Sequence, residues 1–238
     1  MTTVVILAGG LATRLRPLTE KFPKALIEIN GRPFIDYQLY LLKTQGLTDI
    51  IMCLGHEGKQ VEDHLGDGHK IGMNIRYSYD GPTLLGTGGA VRKTLDMVSD
   101  PFFVTYGDAY LRDDYPKILR HFHSLNESRR TKAIALMTVY RNENQHDRSN
   151  VVFADGVLKV YDKRAQTPDM RYIDWGLGLL GKSAFEGTTP NSVFDLADIY
   201  TKLVSEGLMV GYEVLERFHE VGSFSGIEEF KGSAPVIP

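Results

Sequence analysis

Near the N-terminus four apolar residues, Val4-Val5-Ile6-Leu7, run without interruption and then stop at Ala8-Gly9-Gly10. An unbroken apolar run of this length is the mark of a strand buried on both faces, as in a parallel sheet with helices on either side. The two glycines let the chain turn sharply and bring its backbone close to a ligand. Arg14, Arg16 and Lys24 follow within fourteen residues of that turn. A buried strand, a small-residue loop with free N–H groups and nearby cations form a cradle for a polyphosphate. The stretch 9–14, Gly-Gly-Leu-Ala-Thr-Arg, does not fit G-x-G-x-x-G, and no G-x-x-x-x-G-K-[ST] occurs. Dinucleotide and P-loop fingerprints are therefore excluded.

The next segments extend the same pattern. Helical spacing of Phe34, Tyr37, Leu41 and Leu42 predicts a helix over 33–45, closed by Gly46. Asp49–Leu54 reads as a second strand, 58–65 as a helix ended by Gly66-Asp67-Gly68, and Asn74–Tyr79 as a third strand. The order β-α-β-α-β predicts an α/β, doubly wound, mostly parallel sheet. With 238 residues the chain is read as one domain, 1–238, with a nucleotide half over about 1–110 and a second half over about 111–238. A net charge of −3 excludes general attraction to nucleic acid, so phosphate binding must come from local cations. The single cysteine, Cys53, allows no intramolecular disulfide and reads as a core residue. With no signal-like start and no apolar stretch of eighteen residues, a cytoplasmic protein off the membrane is expected.

Further along, 80–90 (DGPTLLGTGGA) is a second glycine-rich loop leading into a helix through Val91, Leu95 and Val98. Phe102–Thr105 is a buried-type strand, and Tyr106-Gly107-Asp108 follows at its C-terminal end, where open α/β sheets place their chemistry. A carboxylate on such a turn can hold Mg²⁺ while substrate phosphates supply other oxygens. His121 and His123, two apart on a predicted helix at 117–125, face different ways and do not suggest a metal site. A strand is expected over 133–140, a polar loop over 141–150, a hairpin over 151–161, a strand over 172–180, a helix over 195–206 and a short helix over 226–231.

The string G-G-L-A-T-R-L-R-P-L-T followed by Pro23-Lys24 resembles the signature of the sugar-1-phosphate nucleotidylyltransferases, roughly G-G-x-G-T-R-L-x-P-L-T…P-K. Ala12 stands where that family usually has a third glycine. L-G-T-G-G-A at 85–90 resembles the family's second nucleotide element, although Thr83-Leu84-Leu85 replaces a base-reading residue and leaves Asp80 as the nearest candidate. Asp162-Lys163 resembles its E/D-K-P, with Arg164 in place of proline. YIDWGLGLL resembles its sugar-side strand, with Asp174-Trp175 for Asn-Ala, and FHEVGS at 218–223 resembles W-x-D-I-G-T, with Glu220 for the metal-binding aspartate. The resemblance spans nearly the whole chain and implies a Rossmann-like, GT-A-like nucleotidyltransferase fold with a sugar-side β insertion. No hexapeptide repeats follow, so the β-helix fused to some relatives is not expected.

The resemblance implies transfer of a nucleotidyl group from a nucleoside triphosphate to a sugar 1-phosphate with loss of pyrophosphate, and Mg²⁺ as cofactor. Arg14, Lys24 and Asp108 would be catalytic, and Asp108 and Glu220 would hold the metal. Leu7, Ala8, Gly9, Gly10, Thr13, Asp80, Gly86, Thr87 and Gly88 would bind the nucleotide. Gly107, Asn150, Lys163, Asp174 and Gly176 would bind the sugar phosphate. The chain resembles small bacterial members acting on heptose 1-phosphate or N-acetylmuramate 1-phosphate, with glucose 1-phosphate also open, and a heptose or related hexose 1-phosphate for a surface polysaccharide is favoured. A non-catalytic sugar-nucleotide-binding subunit and cytidylyl or uridylyl transfer to an unusual phosphorylated acceptor remain alternatives, and a homo-oligomer is left open. A glycosyltransferase would need D-x-D, which Asp108-Ala109-Tyr110 does not supply.

Overall fold

In the computed structural model, which describes residues 1–10, 15, 19, 22–55, 57–128 and 133–238, the first apolar run is strand β1 (Thr3–Leu7). Val4, Val5 and Ile6 are wholly buried, as a strand covered on both faces requires. A short hairpin, β2 (Glu28–Ile29) and β3 (Arg32–Pro33), precedes helix α1 (Phe34–Thr44). Then come β4 (Asp49–Leu54), α2 (Gly58–Leu65), β5 (Asn74–Tyr79), α3 (Gly86–Lys93), β6 (Phe102–Tyr106) and the two-residue β7 (Ala109–Tyr110). The second half contains α4 (Tyr115–Ser128), β8 (Ala135–Arg141), β9 (Val151–Ala154), β10 (Val157–Tyr161) and β11 (Tyr172–Leu180). It closes with α5 (Leu196–Ser205), β12 (Met209–Val214), β13 (His219–Glu220) and α6 (Phe224–Ser233).

One nine-stranded sheet runs through both halves. Strands β5, β4, β1 and β6 are parallel neighbours in that order, with Val5 opposite Ile51 on one side and Val104 on the other. The chain leaves β1 toward β4 and β5, then returns to place β6 on the other flank of β1. The loops after β1 and β6 therefore part, and the crevice between them is where open α/β sheets bind ligands. Beyond β6 the sheet turns antiparallel through β11, which also pairs with β8; β12 lies parallel to β8. Because side chains alternate along a strand, Val4 and Ile6 pack with α1 and α4, while Val5 packs with α3 and α5. A third core joins the C-terminal helix to the N-terminal half through Phe34, Tyr37, Tyr110 and Phe230.

Most boundaries expected from periodicity agree with the structure to within one to three residues. The glycine-rich stretch is the main exception, since helix α3 begins at Gly86 and the glycines form its first turns. The reason is close packing. A Cβ on Gly88 would come within 2.3 Å of the Phe194 ring, and one on Gly89 within 2.3 Å of the Ser192 carbonyl. The β2–β3 hairpin, β7 and β12 were not anticipated. The first two are too short for a periodic signal, and β12 is interrupted by Gly211, whose missing side chain makes room for the Phe153 ring.

Candidate active site

The loops after β1, β4, β5 and β6 converge on a cleft of about 230 Å³. Its floor is Leu7 to Gly10, with Cys53 beneath and Tyr106 to Asp108 along the far wall. The floor is tight: the Ala8 N–H donates to the Cys53 carbonyl at 2.9 Å, and a Cβ on Gly55 would come within 2.5 Å of the Gly9 carbonyl. Among the described residues the N–H groups of Gly9 and Gly10 meet no acceptor. Cys53 is a buried thiol whose ionisation is pushed well up by burial, consistent with a packing role.

Asp80, Gly86 and Thr87 line the opposite wall. Burial pushes the Asp80 carboxyl up, and it accepts the Leu85 N–H at 3.2 Å. Gly88 departs from expectation. It lies outside the cleft lining, and its N–H, like that of Gly89, donates to the Phe194 carbonyl. These glycines join α3 to the lead-in of α5 rather than cradling a ligand.

Lys24 and Asp108 meet at the mouth of the cleft, ammonium to carboxylate oxygen at 2.7 Å. Gln38 fixes the turn that carries Asp108, its side-chain N–H₂ donating to the carbonyls of Tyr106 and Ala109 at 2.8 Å each. Gln38 was not anticipated, although a buried amide among the apolar residues of α1 was the signal that could have found it. Glu220 reaches the same corner because β13 pairs with β7, and the Val221 N–H donates to the Asp108 carbonyl at 2.9 Å. A Cβ on Gly222 would lie 3.5 Å from Glu220 Oε1 and 3.7 Å from Asp108 Oδ2, so both carboxylates border one point that glycine leaves open. No group of three or more His, Cys, Asp or Glu side chains arranged to hold a metal ion occurs among the described residues. Two carboxylates with room for phosphate oxygens suit a hard, oxygen-seeking dication that keeps part of its shell for substrate and water.

The sugar-side residues gather beyond Tyr106. The Lys163 ammonium lies 6.0 Å from the centre of the Tyr106 ring. Asp174 is half-buried beside it. Burial pushes its carboxyl up, partly offset by Lys163 and by the Gly176 N–H that donates to Oδ1 at 3.0 Å. Gly176 takes the left-handed φ of +95° that this close turn needs. Asn150 lines the adjoining crevice, and its side-chain oxygen accepts the Asp174 N–H at 2.9 Å, which fixes the orientation of its amide. Asp195 was not foreseen. It caps α5 and accepts from Thr87 Oγ1 at 2.9 Å; burial would raise its carboxyl, but Ala197 N–H, Lys163 and Thr87 outweigh that and hold it low. Thr13 and Arg14 lie outside the described residues.

Comparison with known proteins gives the family to which this fold belongs. Residues 3–147 match the family described as Nucleotidyl transferase. The chain is 38% identical over 235 residues to the N-acetylmuramate alpha-1-phosphate uridylyltransferase of Neisseria meningitidis serogroup B, covering 97% of each protein. It is 30% identical over 181 residues to the D-glycero-alpha-D-manno-heptose 1-phosphate guanylyltransferase of Campylobacter jejuni, covering 76% of each. In fold it is similar to a putative glucose-1-phosphate thymidylyltransferase from Bacillus anthracis, with a TM-score of 0.86, 22% identity, and coverage of 100% of this chain and 97% of that one. The chain belongs to the nucleotidyl transferase family, among the sugar-1-phosphate nucleotidylyltransferases. It is an enzyme of that class, a nucleotidyltransferase.

Proposed function

We propose that the chain transfers the uridylyl group of UTP to N-acetylmuramate 1-phosphate, releasing pyrophosphate, as one nucleotidyltransferase domain that uses Mg²⁺ in the cytoplasm. The observation that carries the reaction is the meeting of Lys24 and Asp108 at the mouth of the Gly9-Gly10 cleft, with the Glu220 carboxylate bordering the same point as Asp108. The choice of base and sugar rests on the relative that matches over 97% of both chains, and it moves the expectation from heptose toward an acidic amino sugar.

A sugar-phosphate oxygen attacks the α-phosphorus, the bond to the β-phosphate oxygen breaks, and pyrophosphate carries away the electron pair. The attacking phosphate is already an anion, so no covalent enzyme nucleophile is needed, and the protein's work is positioning and charge neutralisation. Gly9 and Gly10 N–H groups hold the triphosphate. Lys24 turns from Asp108 to the α-phosphate, where negative charge builds. Asp108 and Glu220 would hold the Mg²⁺, which when bound offsets repulsion between the two phosphates. Arg14 is assigned to the leaving pyrophosphate on its place in the signature. Lys163 holds the incoming phosphate, Asp174 accepts from sugar hydroxyls, and Asp80 offers a carboxylate oxygen to the imide N–H of uracil.

The test is pyrophosphate release from a matrix of UTP, GTP, CTP and dTTP against N-acetylmuramate, N-acetylglucosamine and heptose 1-phosphates with Mg²⁺. UTP with N-acetylmuramate 1-phosphate should be fastest and should stop on chelation. Preference for GTP with the heptose would replace this reading, and no turnover with any pair would end it.

A further inference from the structure

At the same sheet end, next to the site, a second crevice of about 490 Å³ opens between the loop after β8 and the turn after β10. Arg148, Asn150, Lys163, Arg164, Gln166 and Ile173 line it. Its charge is unbalanced, since three cations face one carboxylate, Asp147, and that carboxylate accepts the Arg148 backbone N–H at 2.7 Å within the loop. Arg164 is occupied by Asp198 at 2.8 Å. Lys163 is directed toward Tyr106 and lies near Asp174 and Asp195. Arg148 alone of the three has no acidic partner among the described residues, and its side chain is exposed. The loop that carries it is nonetheless built. Asn142 and Ser149 are each 1% exposed, Asn142 Nδ2 donates to the Asp147 carbonyl and to Ser149 Oγ, and Gln166 donates to the Ser149 carbonyl at 2.9 Å.

Lys163 lines the crevice, and its ammonium lies 6.0 Å from the centre of the Tyr106 ring, which lines the cleft, so Tyr106 and Lys163 stand between the two spaces. The crevice adjoins the Lys163 ammonium, so a sugar whose 1-phosphate is held by Lys163 would have this space within reach. Resting on the reaction proposed above, we infer that Arg148 is the specificity-determining residue that reads a carboxylate on the sugar, so the enzyme selects an acidic 1-phosphosugar over its neutral counterpart. N-acetylmuramate differs from N-acetylglucosamine by a lactyl ether bearing such a carboxylate. A guanidinium fork is the group best shaped to take it in two parallel hydrogen bonds.

The experiment compares kcat/KM for N-acetylmuramate 1-phosphate and N-acetylglucosamine 1-phosphate, each with UTP and Mg²⁺, in wild type, Arg148→Gln and Arg148→Lys. Melting temperatures serve as the folding control. The wild type should prefer the carboxylated sugar, and Arg148→Gln should reduce that preference about tenfold or more, the effect of losing one charge-assisted contact. Arg148→Lys should restore part of it, and the change should appear in KM rather than kcat. An unchanged preference in Arg148→Gln, or a loss that is equal for both sugars, overturns the inference. A wild type that uses both sugars equally overturns it while leaving uridylyl transfer standing. A wild type that releases no pyrophosphate with either sugar removes the reaction reading, and the inference with it.

Discussion

At the scale of single residues, the proposed reaction rests on three charged groups brought to one corner from positions 24, 108 and 220. Lys24→Ala should lower kcat about a hundredfold with little change in melting temperature, because it removes a contact that strengthens as charge develops. Asp108→Asn should nearly abolish turnover, since an amide oxygen is a poor ligand for a hard dication. Glu220→Asp should keep substantial activity, whereas Glu220→Gln should behave like Asp108→Asn. Full turnover in Glu220→Gln with an unchanged Mg²⁺ requirement would leave Asp108 as the sole protein ligand. Asp174 offers a test of opposite sign. Its folded carboxyl lies above the ordinary value of 3.8, so the native state holds its proton longer than the unfolded chain. The charge therefore costs stability once the pH rises through that raised value. Asp174→Asn keeps an acceptor for the Gly176 N–H, so it should melt higher than wild type at pH 7, with the gain shrinking below about pH 4, while losing activity. A lower melting temperature at pH 7 would contradict this.

At the scale of elements, the parallel strands are tied together at the end away from the cleft by Asp49. It accepts from Thr3 Oγ1 on β1 at 2.7 Å, from Asn74 on β5 at 2.8 Å, and from Arg76 on β5 at 2.8 and 2.9 Å. Burial would raise its carboxyl, but these donors outweigh burial and hold it below the ordinary range. The stability it contributes is present above about pH 4 and is lost as the pH falls through its depressed folded value. Asp49→Ala should cost about 2 kcal/mol at pH 7, less near pH 3, and leave kcat unchanged. Denaturant midpoints at the two pH values, with one kinetic assay, check this. A loss of equal size at both pH values would show that packing rather than charge is at stake.

At the scale of the whole molecule, the last helix returns to the first half of the chain and packs behind the corner proposed to hold the metal. Phe230 is wholly buried, with ring centres 5.3 Å from Phe34, 5.7 Å from Tyr37 and 4.9 Å from Tyr110. One turn earlier, a Cβ on Gly226 would come within 2.2 Å of the Glu220 carbonyl, so α6 lies directly against the strand carrying that carboxylate. Phe230→Ala should cost about 3–5 kcal/mol, or roughly 10 °C in melting temperature for a chain of this size. It should also raise the Mg²⁺ concentration needed for half-maximal rate. Destabilisation with an unchanged Mg²⁺ dependence would show that the helix stabilises the fold without holding the corner.

Much of this was legible along the chain. Val4–Leu7 followed by Gly9-Gly10, the strand Asp49–Leu54 and the turn after Phe102–Thr105 are local patterns, because burial on both faces and tight turning are written in consecutive side chains. Those patterns determined the α/β class, the sheet end that carries the cleft and the turn on which Asp108 sits, while the meeting of Lys24 with Asp108 across 84 residues is tertiary. Other features depend on which distant segments touch. Gly88 and Gly89 look like a ligand loop in sequence, yet Phe194 and Ser192 occupy the space beside them. Gln38 reads as one polar residue on a helix until the turn after β6 packs on it. Glu220 gains its place from β13 pairing with β7, and Arg148 from a loop folded around Asn142 and Ser149. Pairings across such separations are set by strand order and helix packing, which no single window of sequence contains, so only the tertiary structure decided them.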